Sequence, residues 1–315
     1  MAEPKMSVVL ATDTYASIRP VIERFRKQTV RDQLEIVFVT PSAQELQPAL
    51  AYREEFGGMK IVENSVDDLA DARAAGVRGA TGGYVFIGET HSYPHPRMCE
   101  ILLQHAGAQW AILMPAMDNA NPKSVFSWAS FLSDYGRWVK GLPVGVTASV
   151  PIYNAAFRRD TLLALGDRLA TSIGRGEDLA HAFALAGHQV YFEPAALIDH
   201  LNVAPFGHWA LQRFVLGMMI GGNRSQGWSL GRRALYFLAS PLIPIVLWRR
   251  LAPGVRSSFR LKRWPVSIFF WITFGLIVKT WGEAAAYAGF SAKASSKQNH
   301  EYELHKLAYS GLNEI

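Results

Sequence analysis

The stretch GGYVFIGETHSYPHP, residues 82–96, joins an apolar run to a group of ionisable side chains. Tyr84–Ile87 has the short aromatic and β-branched character of a buried strand, and Gly88 ends it. Glu89 and His91 follow, one residue apart. In α/β sheets, ionisable side chains at the carboxyl end of a buried strand usually line a ligand site. The sequence therefore predicts such a site at Glu89 and His91.

Strand-like and helix-like segments alternate from residue 1 to residue 205. Short apolar runs at 7–12, 34–39, 84–87 and 110–114 predict strands, and helical patterns at 18–28, 43–55 and 67–78 lie between them. This order predicts an α/β fold with a mostly parallel mixed sheet flanked by helices. Thr12, Asp13, Thr40 and Glu89 fall at the carboxyl ends of strands, where such sheets bind ligands, so we expect them to converge on one crevice.

Composition and charge add two limits. Of the 315 residues, 50% are hydrophobic and 18% are charged, which is a low charged fraction for a fully soluble protein. The formal net charge is +6, and six basic residues with no acid among them lie between residues 249 and 264. The single cysteine, Cys99, excludes an internal disulfide and suits a reducing compartment. The start of the sequence has no basic region followed by an apolar core, so we expect the N-terminal part to stay cytosolic.

Several motifs, taken in order, resemble the nucleotide-binding half of family 2 glycosyltransferases, which have the Rossmann-like GT-A fold. The first strand ends in a short polar turn (SVVLATDTY), and a Gln-Thr pair ends a helix (RFRKQT). A run of the form Ala-Arg-x-x-Gly-x-x-x-Ala-x-Gly, from Ala72 to Gly82, leads into the strand before Glu89. YNAAFRRDTL resembles the family's Asn-x-x-Phe-Arg-Arg segment, and GEDLAHAFALAGHQVYFEPAALIDH resembles its acidic helix, closing strand and terminal His. The resemblance covers residues 6–215 and implies a nucleotide-sugar donor.

The resemblance also implies a divalent metal cofactor. In that family a D-x-D motif holds Mg²⁺ or Mn²⁺ against the diphosphate of the donor, and Glu89 and His91 occupy the positions of its two aspartates. His200 ends the strand where the family often has a His near the metal. The implied metal ligands are therefore Glu89, His91 and His200, and imidazole suits Mn²⁺ better than Mg²⁺. The alternatives are structural: an acid and a His that hydrogen-bond a proline-rich loop, and a His200 without a ligand role.

The donor pocket departs from the family pattern at Thr40, where members place an aspartate that holds the base. Asp13, one strand away, can take that role, and Arg73 matches a residue that faces the base or the phosphates. The donor-binding residues implied in this way are Thr12, Asp13, Thr40, Arg73, Glu89 and His91. A structural Asp13 that caps the following helix is an equal alternative.

The acid–base residues are expected at Glu177 and Asp178, which match the family's Glu-Asp pair at the start of a helix. A carboxylate near a helix N-terminus stays ionised, as a general base must. We expect Asp178 to be the base and Glu177 to position the acceptor. The segment that follows is shorter than in the family, so an exchange of the two roles stays open, as does a pair that only caps the helix.

The C-terminal third has a different character. Residues 209–228 are helical and partly apolar, and Gln212 and Arg213 are expected to pack in the core. Two apolar runs follow, 234–248 and 265–278, separated by the basic loop 249–264.

As helices these runs are about 20–23 Å long, whereas the hydrocarbon core of a membrane is about 30 Å thick. Pro241 and Pro244 interrupt the first run. Short runs flanked by Trp and Arg are typical of interfacial or re-entrant helices. A second run extended past Lys279 is long enough to span, but it then has to bury or snorkel Lys279 and Glu283. Two buried core helices are the alternative.

We therefore predict three parts. A GT-A catalytic domain covers residues 1–205, amphipathic and membrane-associated helices cover 206–290, and a polar, loosely ordered tail covers 291–315. Membrane lipids are expected to contact residues 234–281, with the basic loop on the cytoplasmic side. The sequence shows no aromatic-basic interleaving of the kind that indicates nucleic-acid binding.

Together these features predict a hexosyltransferase-like, inverting glycosyltransferase at the inner (cytoplasmic) membrane, with its catalytic domain facing the cytoplasm. The expected acceptor is a lipid-linked or cell-envelope glycan. A catalytically silent, membrane-anchored relative that binds sugar nucleotides or glycans is the alternative, because both the D-x-D motif and the base-holding aspartate are replaced.

Overall fold

The structure is a computed structural model that describes residues 3–107, 109–147, 153–174, 179, 183, 185–261, 265 and 267–312. The described residues form one sheet of nine strands and a set of helices. The strands are β1 Met6–Ala11, β2 Leu34–Thr40, β3 Gly58–Glu63, β4 Tyr84–Ile87, β5 Ser92–Pro94, β6 Trp110–Asn119, β7 Gly145–Thr147, β8 Ala155–Arg158 and β9 Gln189–His200. The α-helices are α1 Tyr15–Phe25, α2 Leu69–Gly79, α3 Met98–Gln104, α4 Val125–Tyr135, α5 Arg159–Leu163, α6 Leu169–Gly174, α7 Phe206–Arg224, α8 Leu230–Ala239, α9 Ile243–Leu261, α10 Ser267–Tyr287 and α11 Lys293–Leu304.

The chain divides into two compact units, residues 1–118 with 138–200 and residues 119–137 with 201–315. The first unit contains the sheet, in the order β3-β2-β1-β4-β8-β6-β9-β5, with β7 also paired to β9. Strands β1 to β4 are parallel to one another, β8 is antiparallel to β4 and β6, and β5 and β7 are antiparallel to β9. The predicted α/β class, a mixed sheet flanked by helices and followed by a helical region, is confirmed.

The two central parallel strands are buried along their whole length, as strands covered on both faces are. The helices beside them begin at side-chain caps: Thr14 accepts a hydrogen bond from the backbone of Ser17, and Asp68 accepts from Ala70 and Asp71. Residues 43–55, predicted as a helix, form a 3₁₀ helix that contains Pro48, whose ring removes a backbone donor.

One carboxylate lies inside the parallel part of the sheet. Glu35 is opposite Ser7 in the register of β1 and β2, and its side chain is 2% exposed. It accepts hydrogen bonds from the Ser7 hydroxyl and from the Thr81 N–H (2.8 Å), and it pairs with Lys60 Nζ at 2.9 Å. Burial alone would raise the pKa of Glu35, but the hydrogen bonds from Ser7, Lys60 and Thr81 outweigh burial and hold the pKa below its ordinary value of 4.5.

We predict that Glu35→Gln lowers the free energy of unfolding by about 1–3 kcal/mol at neutral pH, because buried donors lose their charged acceptor. Since the folded pKa lies below the unfolded value, the carboxylate stabilises the fold above the unfolded pKa, and this contribution is lost as the pH falls through the folded pKa. Urea unfolding of wild type and variant from about pH 6 to about pH 3 should show the gap narrowing. A constant gap, or an equal loss in the exposed control Glu54→Gln, would contradict this assignment.

The second unit is helical. Helices α7 and α10 pack with their backbones in close contact, because glycines face the partner helix. A Cβ at Gly217 would lie 1.8 Å from the Lys279 carbonyl oxygen, and one at Gly282 would lie 2.1 Å from the Phe214 carbonyl oxygen. Small residues of this kind permit a close backbone approach between helices.

Residues 291–315, predicted as a loosely ordered tail, instead contain helix α11 and a short 3₁₀ helix, Lys306–Tyr309. The Tyr302 ring of α11 is fully buried, and Leu304 is buried beside it. The polar composition of the segment concealed these apolar anchors.

Two helical stretches, Leu230–Phe259 and Ser267–Tyr287, are long and apolar enough to span a membrane by length and composition. A buried core helix satisfies the same criterion. Of the most apolar part of each stretch, 6% is buried inside the protein in the first and 44% in the second. The predicted break of the first apolar run is present as the 3₁₀ turn Ser240–Leu242, which contains Pro241.

We predict that Gly282→Ala lowers the free energy of unfolding by about 1–3 kcal/mol, since the added methyl group forces α7 and α10 apart. Gly231→Ala is the matched control, because a Cβ at this helical position meets nothing within 4 Å. Its stability should be unchanged or raised by less than about 1 kcal/mol. Thermal unfolding in detergent compares the two, and equal stability of both variants would refute the close packing of these helices.

Candidate metal centre

Three neighbouring parallel strands place polar residues at one edge of the sheet. In the registers, Ala11 of β1 lies beside Val39 of β2, and Val9 lies beside Ile87 of β4. The residues that follow, Thr12, Thr40 and Glu89, therefore share the carboxyl edge, as predicted from the sequence. Thr12 N–H donates to the Val39 carbonyl at 2.9 Å, which extends the pairing to the edge itself.

Glu89 reaches its position through a tight turn after β4. The Gly88 N–H still donates to the Val9 carbonyl at 3.0 Å, so the chain leaves the sheet only after this residue. A Cβ at Gly88 would lie 2.7 Å from Leu10 Cδ2, and glycine avoids that contact. Glu89 then turns inward and its side chain is 2% exposed.

The two histidines meet because β5 pairs with β9. Ser92 of β5 is opposite His200, the last residue of β9, and His91 directly precedes Ser92. The rings of His91 and His200 lie edge to face with centres 5.0 Å apart. Their side chains are 2% and 4% exposed. Residues separated by more than 100 positions in the sequence thus meet in one buried group.

Both imidazoles face the same carboxylate oxygen. The distance from Glu89 Oε2 is 3.6 Å to His91 Nε2 and 3.7 Å to His200 Nε2. One ligand atom from each residue lies within 4.8 Å of the other two, and within the described part of the chain no other group of three or more His, Cys, Asp or Glu does so. The predicted metal ligands are therefore brought together.

The donor set fits a divalent ion. Two ligand atoms that share an ion at about 2.1 Å lie roughly 3–4 Å apart, and both measured separations fall in this range. One carboxylate and two imidazoles suit Mn²⁺ better than Mg²⁺, which prefers oxygen ligands.

Two further residues hold the carboxylate in place. Ser92 Oγ donates to Glu89 Oε2 at 3.0 Å, and Asn154 Nδ2 donates to the same oxygen at 2.6 Å. Asn154 has a φ of 60°, in the left-handed region that asparagine tolerates, and its N–H donates to the Ile87 carbonyl at 2.7 Å. The sequence analysis gave neither residue a role, although Asn154 begins the Asn-x-x-Phe-Arg-Arg segment.

The remaining donor-binding candidates make local contacts. The Thr12 and Thr40 hydroxyls donate to the carbonyls of Thr14 (3.1 Å) and Ser42 (3.4 Å) in their own loops. Asp13 accepts from the Ser17 hydroxyl at 3.2 Å, so it supports the first turn of α1 while Thr14 is the cap.

Arg73 is buried on α2, and its guanidinium carbon lies 3.7 Å from the centre of the Tyr153 ring. Within the described residues its Nε has no hydrogen-bond partner. A buried cation with an unused donor is consistent with the predicted contact to an anionic ligand. Glu177 and Asp178, the predicted acid–base pair, lie outside the described residues.

No protein-family model matches this chain, and no curated protein matches it. Among solved structures, S. aureus TarS 1–349 in complex with UDP aligns at 16% identity with a TM-score of 0.47, over 91% of this chain and 92% of that one. The mannosyltransferase PcManGT from Pyrobaculum calidifontis, in complex with GDP-Man and Mn²⁺, aligns at 17% identity with a TM-score of 0.48, over 95% of this chain and 88% of that one. These TM-scores lie below 0.5, so no activity or site residue is transferred from these structures.

We predict that His200→Ala weakens Mn²⁺ binding by at least ~100-fold, because the change removes a ligand from a buried site. Asn154→Gly removes the amide that orients Glu89 but keeps the left-handed backbone accessible, and it should weaken binding by about 10–100-fold. Calorimetric titration with Mn²⁺ alone measures both.

His95→Ala is the matched control, since His95 follows β5 but pairs with Asp199 at 3.0 Å on the surface. This variant should bind Mn²⁺ like wild type. If His200→Ala also does so, the cluster is purely structural.

Proposed function

We propose that this chain is an inverting glycosyltransferase that uses a nucleotide-sugar donor. The observation that carries the proposal is the buried group of Glu89, His91 and His200 at the carboxyl edge of parallel strands, where α/β sheets bind their ligands. The same positions correspond to the D-x-D motif in the sequence resemblance to family 2 glycosyltransferases.

The chemistry requires positive charge near the leaving group. When the bond between the sugar and the nucleoside diphosphate breaks, negative charge develops on the diphosphate. A divalent ion held by Glu89, His91 and His200 supplies the compensating charge. Ser92 and Asn154 fix the carboxylate, and burial excludes water from the group.

The nucleotide is held by residues at the same sheet edge. We assign Thr12, Asp13 and Thr40 to the base and ribose, because they follow β1 and β2 at this edge. Arg73 is assigned to the phosphates as a buried cation stacked on Tyr153. These roles are part of the proposal.

The transfer step needs a base for the acceptor. Asp178 accepts the proton of the acceptor hydroxyl, and the oxygen forms a bond to the anomeric carbon as the bond to the diphosphate breaks. Attack from the face opposite the leaving group inverts the anomeric configuration. Glu177 positions the acceptor beside this base.

A membrane-associated acceptor fits the surface of the second unit. Leu230, Leu238, Leu242 and Ile245 are 60–83% exposed along α8 and α9 and the turn between them. Exposed apolar residues in a row mark an interaction surface, and the basic segment 249–264 adds attraction to anionic lipid. We propose that residues 234–281 contact the cytoplasmic leaflet and that the acceptor is a lipid-linked or cell-envelope glycan.

We predict that Asp178→Asn lowers sugar transfer by about 10²–10⁴-fold but leaves donor affinity within about twofold, because the base acts on the acceptor. A thermal-shift panel of UDP-, GDP- and dTDP-sugars with Mn²⁺ identifies the donor, whose hydrolysis and transfer are then measured. Asp167→Asn, an exposed acid in a nearby 3₁₀ turn, is the control and should retain full turnover.

Loss of turnover in Glu177→Gln with normal turnover in Asp178→Asn would exchange the two roles. Normal turnover in both would refute their catalytic assignment. A wild-type protein that binds a nucleotide sugar but never cleaves it would instead be the silent binding relative.

A further inference from the structure

A cavity of about 170 Å³ lies inside the second unit, lined by helices α4, α7, α9 and α10. Much of its wall is apolar, with the indoles of Trp209 and Trp271 and the side chains of Leu247 and Leu276. Pockets for drug-sized ligands span roughly 300–1,000 Å³, so this cavity admits a small group rather than a nucleotide sugar. It has room for several water molecules and therefore for a phosphate group.

The charged residues of the wall are mainly positive. Arg213, Arg250 and Lys279 are cations, and Asp134 is an acid. The two terminal nitrogens of Arg213 donate to the Asp134 carboxylate at 3.2 and 2.9 Å, so this acid is already paired. Glu283, one helical turn beyond Lys279, is paired with Arg224 at 2.8 Å.

Lys279 is therefore left without an acid of its own. In the described part of the chain its ammonium group forms neither a hydrogen bond nor an ion pair. Trp209 Nε1 and Arg213 Nε are buried, and neither has an acceptor among the described residues. The unmatched groups of these three lining residues are all donors, and an anion with several acceptor oxygens would satisfy them.

We propose that this cavity binds the phosphate group of an amphiphilic phosphate ester, with its hydrocarbon chain along the apolar wall. Lys279 and Arg250 supply charge to the phosphate, and Trp209 and Trp271 line the path of the chain. A phosphate oxygen accepts several hydrogen bonds at once, which a chloride or a single water cannot match. The proposal is independent of sugar transfer, because every residue involved belongs to the second unit.

The test is calorimetric titration of the full chain in a zwitterionic detergent. The probes are farnesyl phosphate, a short-chain phosphatidic acid, inorganic phosphate and farnesol. We expect the two amphiphilic phosphates to bind at least tenfold more tightly than inorganic phosphate or farnesol, each of which lacks one half of the interaction.

Lys279→Gln should weaken binding of both amphiphilic phosphates by at least tenfold. Lys297→Gln, an exposed lysine of α11 outside the cavity, is the control and should leave affinity within about twofold. Arg250→Gln, at an exposed position of the wall, is the second variant and should also weaken binding.

Two outcomes support the proposal and identify the source of the phosphate. Preference for farnesyl phosphate assigns the cavity to a prenyl-phosphate substrate, and equal affinity for phosphatidic acid assigns it to membrane phospholipid. The proposal is overturned if neither amphiphilic phosphate binds wild type, or if a folded Lys279→Gln binds both like wild type. If Lys279→Gln does not fold, unchanged affinity in Arg250→Gln overturns it. Absence of sugar transfer leaves each of these results unaffected.

Discussion

Burial of the Glu89 carboxylate is the constraint on which the candidate site depends. A carboxylate that is 2% exposed has lost its hydration, and donors or cations must replace the lost water. Ser92 and Asn154 donate to one of its oxygens, and two imidazoles face the same oxygen within 3.7 Å. These groups come from three separate segments of the chain. The sheet pairing that joins them is therefore needed for the site as well as for the fold.

The pairing explains which parts of the site the sequence could predict. Glu89 follows a strand whose apolar run is local, so its place at the carboxyl edge follows from periodicity alone. Asn154 lies beside Glu89 because β8 runs antiparallel to β4, with Ala155 opposite Ile87. Local patterns do not report such non-local pairing. For the same reason, only the family resemblance linked His200 to Glu89, and β5 and β9 supply the physical link.

The C-terminal segment shows the opposite limit of composition. Residues 291–315 are polar on average, which predicts disorder. Tyr302 is nevertheless fully buried, its hydroxyl lies 3.4 Å from His208 Nδ1, and its ring meets that of Tyr309 edge to face. Two or three apolar contacts at helical spacing are enough to order a short segment against an existing surface. An average over the segment does not detect them.

Helix α10 shows how the second unit accommodates charge in an apolar helix. The sequence suggested that a helix continuing past Lys279 would have to bury Lys279 and Glu283, and α10 does continue to Tyr287. Glu283 is 2% exposed, but Arg224 of α7 pairs with it at 2.8 Å and the Tyr287 hydroxyl donates to it at 3.2 Å. Arg224 can reach Glu283 because α7 and α10 pack closely at Gly217 and Gly282.

The close packing of α10 also separates the roles of the two apolar stretches. One face of α10 is taken up by α7, and 44% of its most apolar part is buried in the protein. The stretch Leu230–Phe259 is buried over only 6% of its most apolar part and carries its leucines outward. The apolar surface available to lipid is therefore concentrated in α8 and α9, whereas α10 supplies the buried framework against which charged side chains can be paired.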